Sequence, residues 1–544
     1  METPTGPGGA EAGAGEPTHA EPVPSGAVSP SRAGKKRFYP ALSALLLALG
    51  YYPLGLLLPN LVGFVPLLAW LDLEPQARAG RAFRGGFVFG ICLYALILYW
   101  IYSMLAVSWL AALLYVALVP IFASGAMASI GIGCWIRRRA GWPWAVALPV
   151  GWLPIEWAFT WGDTRMTAHH VGHTLAGYPF LVQFADLAGP YGVGAFLLVV
   201  NGLLYDALHE KKRGGSKRYG LALVFLLGAV LAYDLWAWTH PPRAEGFLRV
   251  TLVQPNVPLS VKLDSATDAA QSELLRRATI EAARAGKPDL ILWPETARPT
   301  VLVHRLDQPG TYSMPEIESL AREIKIPLIV GAEYAQVEPG KRPVFYNAAF
   351  LVHADGRLDP TWTAKVYLVP FVEAVPFEPL LGPALSGRQG EMRWMAGGFT
   401  APEKSRLLKV GEADVGILIC YEELYFDLAR TLRNGGASFQ AILTNDAWFG
   451  RTLFQDYQAN TVRLRAIENR SAFVRVANTG ISGFVDPRGR YHRRTGLFVP
   501  AIETWEVPLT KGRTVYDRLG DWVAWVAIGG LGIGLFSAWR RRPN

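Results

Sequence analysis

The stretch GILICYEELY, residues 416–425, passes from an apolar half into Tyr421, Glu422 and Glu423, with Cys420 at the junction. A short continuous apolar run that ends in polar residues reads as a buried β-strand delivering its next side chain to a sheet end. On its own the motif leaves Cys420 ambiguous, because a free cysteine also serves as a small buried hydrophobe.

The surroundings repeat the pattern. FLRVTLVQPNV (247–257), PDLILWPETA (288–297), IPLIVGAEYA (326–335), FYNAAFLVH (345–353), FQAILTNDAWFG (439–450) and SAFVRVANTG (471–480) are short β-prone runs, several ending in polar or turn residues. Helical patterns such as SELLRRATIEAARAGKP (272–288) and QANTVRLRAIENR (458–470) separate them, and DPRGR (486–490) signals a hairpin turn. Residues 241–515 therefore read as a compact α/β domain with helices packed over sheets.

The rest of the chain has a different character. Of 544 residues 51% are hydrophobic and 18% charged, which points to a membrane protein. The net charge of +9 is no argument for a nucleic-acid partner, since the basic residues fall in short clusters between apolar runs. Of three cysteines, Cys92 and Cys134 lie inside apolar stretches, which excludes a disulfide framework and leaves Cys420 in the polar domain. Residues 1–34, rich in Gly, Pro, Ala and Glu, carry too little apolar surface to order and are expected to be a disordered tail.

Seven apolar spans are expected at about 38–58, 60–73, 86–105, 107–135, 142–161, 179–206 and 219–239, with an eighth near 519–539; the second is short for a crossing of about 20 residues. Alternate loops carry Lys35, Lys36 and Arg37; Arg78, Arg81 and Arg84; Arg137, Arg138 and Arg139; Lys211, Lys212, Arg213, Lys217 and Arg218; and Arg540, Arg541 and Arg542. The intervening loops carry almost none, Arg165 excepted, so the positive-inside rule puts the basic loops in the cytoplasm and residues 241–515 outside it. The chain divides into a tail (1–34), a seven-helix transmembrane domain (35–240), an extracytoplasmic domain (241–515) and a C-terminal helix with a basic tail (516–544).

Three residues stand at the ends of apolar segments: Glu295 after LILWP, Lys365 opening KVYLVPFVEAVP, and Cys420 after VGILI. A carboxylate that takes a thiol proton, a thiolate that attacks a carbonyl and an ammonium that steadies the oxyanion together suit acyl transfer. Singly, each has an ordinary structural explanation: a turn or cap for Glu295, solvation for Lys365, core packing for Cys420. Jointly, WPETA, the segment from Lys365 to Glu373, and ICYEE resemble the Glu-Lys-Cys triad of the nitrilase superfamily. The helical part, the final helix and TNDAWFG (444–450) narrow the resemblance to the bacterial apolipoprotein N-acyltransferase family, over about residues 38–540.

That resemblance implies an αββα sandwich carried by a polytopic helical membrane domain. It implies Glu295 as general base, Cys420 as the nucleophile that takes a fatty acyl group from a phospholipid as a thioester, and Lys365 as stabiliser of the tetrahedral intermediates. The acceptor would be the α-amino group of the diacylglyceryl-cysteine of an apolipoprotein. Tyr421, Glu422, Asn445 and Trp448 would shape the site, and Glu373 would orient the lysine or share the base's work. It implies no metal, no organic cofactor, a monomer, and a multi-pass protein of the bacterial inner membrane with its catalytic domain in the periplasm. The sequence departs from many members at Val372, where they have Gly, and at Leu263, where they have Trp; these positions bear on the lysine loop and on acyl-chain contacts.

Other candidates are weaker. His169, His170 and His173 in AHHVGH have metal-like spacing without an evident acidic partner, and read as a polar loop at the outer surface. Glu156 and Asp186, in or near spans, read as groups at helix ends facing water, Glu156 with a structural contact under the outer domain. Two rival functions stay open: a membrane-tethered amidase or an acyltransferase with another amine acceptor, and a transporter or scaffold, against which the intact triad argues.

Overall fold

The computed structural model describes residues 37–51, 54, 56–73, 79–106, 109–163, 165–210, 215–308, 310–370, 372–374, 377 and 398–541. The expected tail at 1–34 and the basic residues Lys35, Lys36, Arg78, Lys211, Lys212, Arg213 and Arg542 lie outside the described residues.

The helical part comprises α1 (Tyr39–Tyr51), α2 (Leu57–Val62), α3 (Val65–Leu71), α4 (Ala79–Ile97), α5 (Leu110–Ala140), α6 (Trp144–Ala158), α7 (Ala185–His209) and α8 (Gly215–Thr239), completed by the C-terminal helix Trp522–Arg540. Among the described residues five helices are long and apolar enough to cross a membrane: α4, α5, α7, α8 and Trp522–Arg540. The other three expected spans are held by shorter helical segments. α1 is described from Tyr39 to Tyr51, and the apolar segment Leu57–Leu71 holds α2 and α3. In the third case α6 holds 15 residues around Pro149 and Pro154, about 22 Å of rise against a hydrocarbon layer of about 30 Å. The helix runs through both internal prolines and has its ends at Pro143 and Phe159, so apolar composition and helix length part company there.

Small residues set the packing. A Cβ on Gly90 of α4 would sit 2.7 Å from the Cα of Ala123 on α5, so the two backbones touch where lipid-exposed helices have only close packing to hold them together. In α7 the backbone breaks at Gly189, φ 63° and ψ −167°, just before Pro190; a side chain there would meet the Tyr516 ring at 2.3 Å. The two ends of α7 are anchored differently. Near its start Asp186 pairs with Arg470 of the sheet domain at 2.8 Å, and near its end Asp206 pairs with Arg137 at 3.3 Å, which also holds Asp72 at 3.0 Å. The basic Arg137–Arg139 turn therefore lies at the helix ends away from the sheets.

The sheet domain contains β1 (Ala244–Gln254), β2 (Leu290–Leu292), β3 (Arg298–Arg305), β4 (Leu328–Val337), β5 (Val344–Val352), β6 (Leu358–Ala364), β7 (Leu408–Val410), β8 (Ala413–Ile419), β9 (Phe439–Thr444), β10 (Phe473–Ala477), β11 (Gly483–Val485), β12 (Tyr491–His492) and β13 (Ala501–Thr510). One sheet runs β13-β1-β2-β4-β5-β6 with β3 beside β4; the other runs β12-β11-β10-β9-β8-β7. The centres, β1-β2-β4 and β8-β9-β10, are parallel, and the flanking strands are antiparallel. The strands β2, β9 and β10 are buried throughout and β8 at every residue but Asp414, which is why they read as mainly apolar runs rather than alternating ones. Helices α9 (Asp268–Gly286) and α10 (Pro315–Ile324) cover the first sheet; α11 (Phe426–Asn434) and α12 (Phe454–Asn469) cover the second. The sheets face each other through β1 against β10, β13 against β9 and β5 against β8, giving the αββα sandwich.

Forcing volume into the α4–α5 contact is expected to cost roughly 1–3 kcal/mol. Gly90→Leu should lower the thermal midpoint in detergent, and an unchanged midpoint would contradict the packing described.

Candidate active site

Parallel sheets gather side chains at the carboxyl ends of their strands, and this pair does so from both layers. Cys420 follows β8 directly, Asn445 follows β9, Lys365 follows β6, and Glu295 lies three residues beyond β2. All four line one cavity of about 1000 Å³. Cys420 takes a left-handed conformation, φ 57°, and so does Thr296, φ 44°, next to Glu295. Such backbone costs a non-glycine residue about 1–3 kcal/mol and persists only where surrounding contacts enforce it.

Those contacts can be named. The Glu422 carboxylate accepts three backbone N–H groups: Ile419 at 2.7 Å, Val366 at 2.6 Å and Tyr367 at 2.9 Å. One side chain thus ties the turn that bears the thiol to the segment that follows Lys365. Burial pushes Glu422 up to about 7 against those bonds. Glu373 does the same for the lysine, accepting Lys365 Nζ at 2.8 Å and the Val369 N–H at 2.9 Å.

Glu295 is held on both oxygens. Oε1 accepts from Asn347 Nδ2 at 2.7 Å and Oε2 from the backbone N–H of Asn445 at 2.8 Å, and Cys420 lies close enough for the two groups to perturb one another. Burial raises the Glu295 pKa, with Lys365 opposing and Glu373 reinforcing. Burial and then Glu295 raise the Cys420 thiol well above its ordinary range, and Lys365 opposes. Lys365 is 1% exposed; burial works against its charge, yet Glu373, Cys420 and Glu295 outweigh burial and hold the ammonium above its usual range. At rest the proton therefore stays on sulfur, beside the Glu295 carboxyl group and the Lys365 ammonium.

The cavity has two kinds of wall. Leu114, Leu118, Ile121 and Phe122 of α5, with Phe159 beyond α6, supply an apolar arm. Trp448, Tyr421, Val372 and Leu263 also line it, so both positions that depart from the family pattern face the chamber. The Trp448 carbonyl lies 3.4 Å from the Ser103 hydroxyl, and Trp100 stacks on Phe454 at 4.1 Å, which joins the sandwich to the segment after α4.

Two weaker expectations are corrected. His169, His170 and His173 are buried, not on an outer polar loop. His170 Nε2 lies 3.2 Å from Glu156 Oε2 and His173 Nδ1 2.8 Å from the Tyr457 hydroxyl, so the acidic partner missing from the sequence is Glu156. That residue faces protein rather than water and accepts the Val171 N–H at 2.7 Å. Asp186 is likewise a buried contact to Arg470 and Tyr233. A polar string of histidines cannot by itself say whether another layer will cover it.

The sequence reading missed Asn347 and Lys262. Asn347 is the one strongly polar residue within the apolar run FYNAAFLV, a signal that was available. Lys262 donates to the Thr296 carbonyl at 2.6 Å and lines the cavity with Glu333; burial brings its ammonium down to about 8 against the pull of Glu295 and Glu333.

Comparison with known proteins now bears on this geometry. The carbon-nitrogen hydrolase family model matches residues 249–512, and the apolipoprotein N-acyltransferase N-terminal domain matches residues 43–203. The apolipoprotein N-acyltransferase of Geobacter metallireducens is 32% identical over 518 residues, covering 92% of this chain and 95% of that one. The chain belongs to the apolipoprotein N-acyltransferase family. The Chlorobaculum tepidum member is 29% identical over 539 residues, 93% of this chain and 97% of that one. An amidase from Nesterenkonia sp. aligns at 18% identity and TM-score 0.33, over 49% of this chain and 92% of that one. Membership makes this N-acyltransferase a multi-pass membrane acyltransferase with a nitrilase-type domain.

Because Glu295 raises the thiol, Glu295→Gln is expected to move the pH profile of Cys420 alkylation by iodoacetamide toward lower pH. Lys365→Met removes the opposing cation and should move it higher. A profile that ignores both substitutions would contradict the charge arrangement.

Proposed function

We propose that this N-acyltransferase moves a fatty acyl group from a phospholipid, through a thioester on Cys420, to the α-amino group of a diacylglyceryl-cysteine on an apolipoprotein. The observation that carries the reading is the continuity of one cavity from Cys420 to the apolar residues of α5. Withdrawing an acyl chain into water costs about 0.8 kcal/mol per methylene, so a thiol reached from an apolar arm acts without that penalty.

In the first half-reaction Glu295 takes the proton of the Cys420 thiol as sulfur attacks the donor's ester carbonyl. The Lys365 ammonium steadies the resulting oxyanion. Collapse breaks the ester C–O bond, Glu295 returns its proton to the departing lysophospholipid oxygen, and the thioester remains. In the second, Glu295 accepts a proton from the neutral acceptor amine as nitrogen attacks the thioester. The C–S bond breaks, the proton passes to sulfur, and an amide and the free thiol result. Glu373 keeps the Lys365 ammonium in place, and Tyr421, Glu422, Asn445 and Trp448 shape the chamber.

The basic turn Arg137–Arg139 at the helix ends away from the sheets supports a bacterial inner-membrane protein with its sandwich in the periplasm.

Purified protein in vesicles of acyl-labelled phospholipid, supplied with a diacylated lipopeptide, is expected to label the peptide amine. Cys420→Ala should abolish transfer, and Glu295→Gln should reduce it by about 10²–10⁴-fold. Label recovered as free fatty acid with an unmodified peptide would overturn the acceptor in favour of an amidase.

A further inference from the structure

Beneath the site lies a charge cluster that the chemistry above does not use. Arg475 on β10 is fully buried, and its guanidinium makes five hydrogen bonds. Nε and Nη2 reach the two oxygens of Glu423 at 2.7 and 2.8 Å; Nη1 and Nη2 reach those of Asp446 at 2.9 and 3.3 Å; and Nη1 also reaches the Ile481 carbonyl at 2.6 Å. These use all the N–H donors that a guanidinium has.

The two carboxylates belong to the two turns that must agree. Glu423 is in the 3₁₀ turn Cys420–Leu424 that presents the thiol, and Asp446 follows Asn445, whose N–H fixes Glu295 Oε2 at 2.8 Å. Thr444 donates to Asp446 at 2.7 Å, and Gly480 leaves the carboxylate its room: a Cβ there would lie 1.8 Å from Asp446 Oδ2. Buried ion pairs often stabilise a fold no better than apolar residues of similar volume, and their best-attested use is to fix register.

We propose that Arg475 is a positioning residue, which holds the turn of the nucleophile and the turn that clamps the base on one rigid fork and so sets the Glu295–Cys420 contact. The proposal rests on the acyl-transfer reading for its purpose, although the contact itself can be measured without any lipid. A lysine carries the same charge but cannot grip two carboxylates bidentately.

The test is the shift that Glu295→Gln causes in the pH profile of Cys420 alkylation by iodoacetamide, measured in full-length protein with and without Arg475→Lys. The expected result is that Arg475→Lys at least halves that shift and slows thioester formation at least tenfold at saturating phospholipid. If Arg475→Lys does not fold, the combination Glu423→Gln, Asp446→Asn and Arg475→Met leaves no buried charge unpaired and takes its place, with the same expectation. An undiminished shift in the folded variant would overturn the positioning role. Absence of a thioester in otherwise unsubstituted protein would instead overturn the acyl-transfer reading, leaving the alkylation shift to judge Arg475.

Discussion

The arrangement depends on keeping one ammonium charged where water is scarce. An isolated cation in a protein interior is costly enough that it sheds its proton unless opposite charge is supplied. Lys365 retains its proton because Glu373 grips it at 2.8 Å while Glu295 stands close enough to add its pull. The same cation opposes the burial that raises Glu295 and Cys420. Removing Lys365 leaves Glu295 and Cys420 facing burial with less compensation, whereas removing Glu295 relieves the thiol, so the three groups are electrostatically coupled.

That unit needs geometry that no single sheet provides. Glu295 and Lys365 come from one layer of the sandwich and Cys420 from the other. The cross-ties are polar: Glu422 joins the thiol's turn to the segment after Lys365, and the Asn445 N–H reaches from the second layer to Glu295. The helical domain then decides what reaches the unit. Its apolar arm, lined by Leu114, Leu118, Ile121 and Phe122, continues the chamber away from the charged groups.

Much of this was legible in the sequence because buried parallel strands announce themselves as apolar runs and their next residues fall at sheet ends. Glu295 and Cys420 were read as candidates that way, and Lys365 as the residue that opens the next apolar segment. What stayed hidden depends on partners far apart in sequence. The hydrogen bonds of Glu422 to Val366 and Tyr367 cross more than fifty residues. The burial of His169, His170 and His173 follows from α12 and the sandwich covering a segment whose composition looks exposed. The span expected at 142–161 is a 15-residue helix, Trp144–Ala158, because apolar content runs on past Pro143 and Ala158, where the helix has its ends.

The central claim is that the acyl group rests on Cys420 between donor and acceptor. The most direct measurement is the intact mass of the protein after incubation in phospholipid vesicles without acceptor, followed by peptide mapping. The account predicts that one acyl group replaces the hydrogen of the Cys420 thiol and is released by hydroxylamine. An unmodified Cys420 in protein that nonetheless acylates the lipopeptide once it is supplied would contradict it.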